Sequence, residues 1–247
     1  MRMFLLCYGV TFVDKGVALT SGRDIGKIVP TPIWGALLET DHGLVLVDTG
    51  MNPIHIHDPD ATFRGTDLYG KIKPVLSEAD LAPNRVKSCG FSPDDVKMVI
   101  NTHLHFDHCG GNMFFPNAEF VVQREHYDWA MRENNCPKRD FDLPGIKWRF
   151  AEGEFELLPD IDMILTPGHV PGHQSVVVHL KKSGTAIITG DALSLIENME
   201  EGAQVAAFDQ REFYKSVKRI KSLDGTIFLS HEKSLWDSWK HAPDFYE

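Results

Sequence analysis

The chemically densest stretch of the chain is Asn101-Thr102-His103-Leu104-His105-Phe106-Asp107-His108-Cys109-Gly110-Gly111, in which three histidines and an aspartate crowd together. Neutral imidazole and carboxylate are the donors that suit zinc and neighbouring transition metals, and core packing has no use for so many of them side by side. Three further donors follow apolar runs elsewhere. Met163-Ile164-Leu165 leads to Thr166-Pro167-Gly168-His169, Ala186-Ile187-Ile188 to Thr189-Gly190-Asp191, and Ile227-Phe228-Leu229 to Ser230-His231. Five histidines and two aspartates exceed the needs of one tetrahedral ion and suit two ions sharing a carboxylate. The chemistry expected of such a pair is hydrolysis: a bridging water becomes hydroxide near neutral pH while a substrate carbonyl is polarised.

Donors so far apart in sequence meet only if strand ends bring them together. Strands are expected at 44–47, 96–100, 120–122, 163–165, 175–180, 186–188 and 227–229, where β-branched runs are bounded by Gly, Pro and Asp. Helical spacing appears at 124–133 and at 210–223, where Phe213, Val217 and Ile220 repeat. The apolar opening Met3-Phe4-Leu5-Leu6-Cys7-Tyr8 reads as a first buried strand, because Asp14 and Lys15 interrupt it before any export-cleavage pattern. "HGLVLVDTG" at 42–50 and "SGTAIITGD" at 183–191 echo each other, which fits two similar β-rich halves packed sheet on sheet. Between them the 51–93 segment, rich in Pro, Asp and Gly, is expected to form a lid or binding loop with short helices of its own.

Composition narrows the class. The 247 residues carry 43% hydrophobic and 24% charged side chains, as one globular domain over 1–247 would. A formal charge of -10 argues against nucleic acid, no apolar run is long enough for a membrane span, and four scattered cysteines point to a reducing, cytoplasmic setting.

The donor pattern resembles the metallo-β-lactamase superfamily, and the resemblance covers roughly residues 30 to 235. It implies an α+β, four-layer αββα sandwich with two mixed sheets face to face and helices outside. It also implies roles: His103, His105 and His169 for one metal, Asp107, His108 and His231 for the other, and Asp191 bridging them. Asp107 would also accept a proton as the tetrahedral intermediate forms, so Asp107 and Asp191 are the expected catalytic pair. Asp48 and His173 would steady the ligands from behind. Two divalent ions are implied, zinc first, with Co, Mn or Fe accepted by the same donors.

Among the branches, exported β-lactamases carry Cys where this chain has Asp191, flavodiiron-type members carry an acidic residue where it has His105, and RNA-processing members add a large insert. Hydroxyacylglutathione hydrolases share Thr102 to His108 but need a long helical C-terminal extension, and only 16 residues follow His231. The chain is most similar to the N-acyl-homoserine lactonases, through His103 to His108 with Gly110-Gly111-Asn112, Val122-Gln123-Arg124, and Thr166 to His169 with Gly172-His173-Gln174-Ser175. The resemblance implies opening of a small-molecule lactone ring and a quorum-quenching role, in a monomer or homodimer. Thioester hydrolysis, or another lactone such as 4-pyridoxolactone, is the alternative.

One departure stands out. The lactonases place a tyrosine three residues after the bridging aspartate, and here that position is Ser194, whose short hydroxyl reaches less far. Tyr69 from the lid is a candidate substitute. Met51, Phe63, Leu68 and Tyr69, with Phe106, are expected to line an acyl-chain groove. Asp48-Thr49-Gly50 also looks like half of an aspartic protease, but that chemistry needs two such carboxylates. Cys109 reads as a small buried residue and His179 as a strand histidine, while His42, His55, His57, His126 and His241 read as surface residues.

Overall fold

The computed structural model describes residues 1–247. Twelve strands run in chain order: β1 (Arg2–Asp14), β2 (Ile28–Thr40), β3 (Gly43–Val47), β4 (Ile72–Val75), β5 (Val96–Ile100), β6 (Glu119–Gln123), β7 (Lys147–Ala151), β8 (Phe155–Leu158), β9 (Ile161–Leu165), β10 (Gln174–Leu180), β11 (Gly184–Ile188) and β12 (Thr226–Phe228). They form a seven-stranded sheet, β4-β1-β2-β3-β5-β6-β7, and a five-stranded one, β12-β11-β10-β9-β8. Both sheets are mixed, with parallel pairing from β3 through β7 in the first and between β11 and β12 in the second. The expected αββα sandwich is what the chain forms.

Period-two alternation builds the layers. Met3 and Leu5 of β1 and Val45 and Val47 of β3 point into the core between the sheets, where they meet Met163, Val176, Val178 and Ile188 of the second sheet. Their neighbours Phe4, Leu6, Leu44 and Leu46 face the other way, onto an outer layer that includes Ala82 and Val86 of helix Ala82–Ser88. On the far side of the second sheet, Val177 and Ile187 pack on Phe213, Val217 and Ile220 of helix Gln210–Ser222. No helix is long and apolar enough to cross a membrane.

Topology then places the site. β3 and β5 are parallel, so the residues after Val47 and Ile100 leave the first sheet at one edge. β9 and β11 both run antiparallel to β10, and β12 runs parallel to β11, so the residues after Leu165, Ile188 and Phe228 leave the second sheet at a common edge.

Four strands, β2, β4, β7 and β8, have no counterpart among the expected ones. β2 is masked by Pro30 and Pro32, residues that normally argue against a strand with neighbours on both sides. They are tolerated because β3 pairs only with Ala36 to Thr40, leaving the proline-bearing half of β2 with β1 alone. The 51–93 segment contributes β4 and helix Ala82–Ser88, so its loop portion is shorter than the sequence suggests.

Trp34 ties the sandwich together: its Nε1 donates to the Leu229 carbonyl of the opposite layer at 3.2 Å, and its ring stacks on Trp236 at 5.9 Å. Trp34→Ala should cost about 3–5 kcal/mol of unfolding free energy through the cavity it leaves and the lost inter-sheet bond. Urea denaturation measures this, and a loss below about 1 kcal/mol would show that the indole is not a keystone.

Candidate metal centre

The segment after β5 turns into the short helix Phe106–Cys109, with His105 as its N-cap. This projects His103, His105, Asp107 and His108 toward the edge where His169, Asp191 and His231 arrive from the second sheet. Two donor groups result. His103, His105, His169 and Asp191 present ligand atoms within 4.8 Å of one another, and so do Asp107, His108 and His231. His103 Nε2 and His169 Nε2 each lie 3.0 Å from His105 Nδ1.

Asp191 divides its two oxygens between the groups. Oδ2 lies 3.8 Å from His103 Nε2 and 3.4 Å from His169 Nε2, while Oδ1 lies 3.3 Å from His108 Nε2 and 3.1 Å from His231 Nε2. That is the geometry of a carboxylate able to bridge two ions. Asp107 Oδ2 stands 3.7 Å from both His108 Nε2 and His231 Nε2.

Charge and orphaned atoms say what the donor set can hold. Burial pushes His103 and His105 well down, keeping them the neutral imidazoles that coordination requires. His108 is held well above the usual value: burial alone would lower it, but the carboxylates of Asp107, Asp191 and Asp48 outweigh burial. The pocket therefore calls for positive charge. His108 Nε2 and Asp191 Oδ1, both buried, face each other at 3.3 Å without hydrogen-bond geometry, and an unsatisfied buried polar atom is costly unless something binds it. Divalent cations fit this donor set.

The far nitrogens are held from behind. Asp48, at a φ of 57°, accepts from the Thr102 amide and hydroxyl and pairs with His108 Nδ1, each at 2.8 Å. His173 Nε2 accepts from the Asp191 amide at 3.1 Å, while its Nδ1 pairs with the Thr166 hydroxyl at 2.9 Å. His231 Nδ1 donates to the Pro32 carbonyl at 3.1 Å. Gly110 and Gly111 serve close approach rather than unusual dihedrals: Gly110 has an ordinary helical φ of -61°, and a Cβ there would sit 2.2 Å from the Asn52 nitrogen.

His126 and His55 are not surface residues. His126 lies on the buried face of helix Arg124–Ala130, where its Nε2 accepts from the Leu104 amide at 2.8 Å and its Nδ1 donates to the Pro171 carbonyl at 2.9 Å. It thus ties the loop bearing His103 and His105 to the loop bearing His169. The i to i+4 spacing of His126 and Ala130 was the available signal. His55 is buried beneath the lid, edge-on to Phe106. His241 stacks on Trp236 at 4.1 Å.

Five of the seven donors line a single cavity, together with Phe63, Leu68 and Phe106. Most of its remaining wall comes from a region without an obvious sequence signal, Thr11, Val13, Val17, Leu19 and Thr31 of β1, β2 and the turn between them with Ile72 of β4, and Asn135 and Ala206 add to it. Three expected substrate contacts fall outside this lining. Met51 is buried in the outer core, Tyr69 is 55% exposed, and Ser194 is half-buried, with its carbonyl accepting from the His231 amide at 3.1 Å. Lid and loop backbones, not side-chain type, decide which apolar residues face inward. No phenol enters the cavity.

Beneath the lid, Asn52 Nδ2 donates to Asp140 Oδ1 at 2.6 Å, and burial pushes the Asp140 carboxyl up to about 7. Because this lies above the value in an unfolded chain, about 3.9, the fold is most stable with Asp140 protonated and loses stability as pH rises from about 4 to about 7. Asp140→Asn should gain melting temperature relative to the parent across that window and hold a constant advantage above it. A pH-independent difference would contradict this. Asp48→Ala should weaken retention of one of two bound ions by about 10- to 100-fold in competition with a chelator, and undiminished retention would count against its supporting role.

A family model for the metallo-beta-lactamase superfamily matches residues 29–231. The N-acyl homoserine lactonase AiiA of Bacillus thuringiensis subsp. kurstaki is 37% identical over 248 residues, spanning 99% of this chain and 98% of the relative. AttM of Agrobacterium fabrum, also an N-acyl homoserine lactonase, is 32% identical over 265 residues, spanning 100% and 98%. A crystal structure of a B. thuringiensis AiiA mutant with N-decanoyl-L-homoserine bound at the active site superposes with a TM-score of 0.93 at 34% identity, over 99% of this chain and 98% of that one. An N-acyl homoserine lactone hydrolase with the product N-hexanoyl-L-homoserine at its catalytic metal centre gives the same TM-score, identity and coverage.

Proposed function

The chain belongs to the metallo-β-lactamase superfamily, and we propose that it is a metal-dependent lactonase that opens the ring of N-acyl-homoserine lactones, a quorum-quenching activity. One observation carries the reading: ligand-type side chains and an apolar wall share one cavity, in a chain similar from end to end to lactonases. His103, His105 and His169 would hold one ion, Asp107, His108 and His231 a second, and Asp191 both. Zinc is the expected metal, with Co, Mn or Fe acceptable to the same donors.

When bound, the ions supply a nucleophile at neutral pH and polarise the ester carbonyl. The rest falls to the chain. Asp107 lines the cavity beside His108 and His231, placed to take a proton as the ester carbon becomes tetrahedral and to return it to the departing ring oxygen. The ring then opens to a hydroxyl and a carboxylate. Phe63 and Phe106, edge to face at 4.9 Å, close the cavity on the lid side and offer apolar surface to the acyl chain, with Leu68 beside them. Asp48 and His173 keep His108 and the Asp191 backbone from drifting.

The test is acid release by metal-replete protein from short- and long-chain N-acyl-homoserine lactones, with kcat/KM expected at or above about 10⁴ M⁻¹s⁻¹. His105→Ala and Asp191→Asn should each lose both turnover and the second equivalent of metal. Negligible release by protein holding two metals per chain would refute the lactone substrate.

A further inference from the structure

We propose that Thr11 and Thr31 form a polar subsite that selects lactones whose acyl chain bears a hydroxyl or keto oxygen close to its amide; this rests on the lactonase reading. The two residues are direct cross-strand partners on β1 and β2. Both are 2% exposed, and both line the cavity that holds the metal donors. Thr31 Oγ1 donates to the Thr11 carbonyl at 3.0 Å, and the two hydroxyl oxygens lie 2.5 Å apart.

Their setting is what gives them a role beyond joining strands. Apart from the metal donors and Asn135 beside His105, the wall is apolar, with Val13, Val17, Leu19, Phe63, Leu68 and Ile72. Pro32, the residue after Thr31, accepts the hydrogen bond from His231 Nδ1, so the pair stands at the metal end of the apolar arm. A group reached there belongs to the first few atoms of an acyl chain, not to its tail.

The hydrogen-bond count leaves capacity for a ligand. Two hydroxyls bring two protons and four lone pairs. With the Thr31 proton on the Thr11 carbonyl and the Thr11 proton on Thr31 Oγ1, three lone pairs stay open to a donor such as a substrate hydroxyl. If the Thr31 proton swings to Thr11 Oγ1 instead, the Thr11 proton is freed for a keto oxygen. An unsubstituted methylene chain can use neither option. Since the pair is already bonded to itself, the expected discrimination is that of one modest hydrogen bond, about 3- to 10-fold.

The experiment compares acyl-homoserine lactones of one chain length with a methylene, a keto or a hydroxyl group at the third acyl carbon, together with γ-butyrolactone, which has no acyl chain. The parent protein should favour the oxygenated substrates about 3- to 10-fold in kcat/KM, with the difference in KM, and should bind their ring-opened products more tightly by the same factor in calorimetry. Thr31→Val should bring both ratios to about one, whatever its effect on turnover as a whole, and Thr31→Ser should keep the preference. Thr11→Val makes the same comparison should Thr31→Val fail to fold. Unchanged ratios in the valine variants would overturn the subsite and leave the lactonase reading standing. A parallel loss on every acylated substrate but not on γ-butyrolactone would place the hydroxyls at the amide and overturn it as well. If the parent opens none of the acylated lactones, the lactonase reading fails and takes the subsite with it.

Discussion

Two carboxylates and five imidazoles, all but His105 and His169 buried, gathered onto one edge of a β-sandwich are the constraint on which the rest of the structure depends. Such a set is expensive in an apolar setting unless cations occupy it, and the raised His108 and His231 record the pull of Asp107 and Asp191 for positive charge. Asp191 is the centre of that pull. Its two oxygens face different donor groups, and each group comes partly from the other sheet or from a different strand end, so the site exists only while the two sheets keep their relation.

Much of the molecule serves that relation. Trp34 and the apolar residues between the sheets hold the layers apart at a fixed spacing. Behind the donors, Asp48, His173 and His126 convert loose loop segments into rigid supports, each bonding backbone amides as well as or instead of ligands. Gly110 and Gly111 let the loop of Thr49 to Asn52 press against the helix that carries Asp107 and His108. A side chain at either glycine would drive that loop and the donor helix apart, coupling the start of the 51–93 segment to the metal donors.

The cavity shows how a common chemistry is fitted to a particular substrate. With Ser194 half-buried outside the lining and Tyr69 turned outward, no phenol lines the cavity. Apart from the metal donors, the polar side chains of the wall are Thr11 and Thr31 on β1 and β2, and Asn135. Specificity in such a pocket comes from a few polar groups set in an apolar surface, because an unmatched hydrogen-bonding group discriminates more sharply than shape alone.

By itself the sequence determined the chemistry and most of the architecture. His-x-His-x-Asp-His needs no tertiary context to be read as a donor cluster, since ligand type and local spacing carry the information. Strands such as 96–100 were legible because their alternation and boundaries are local. β2 was not, because its prolines are acceptable only through the absence of a neighbour along half its length, which is a property of the sheet. Tertiary structure alone decided which side chains face the cavity. Thr11 and Thr31 reach it from a strand pair far from the motif, Met51 and Tyr69 turn away from it, and His126 and His55 are buried by elements distant in the chain. The physical reason is common to all: donor identity is covalent and local, whereas facing and burial are set by packing between segments whose separation in sequence carries no information about their separation in space.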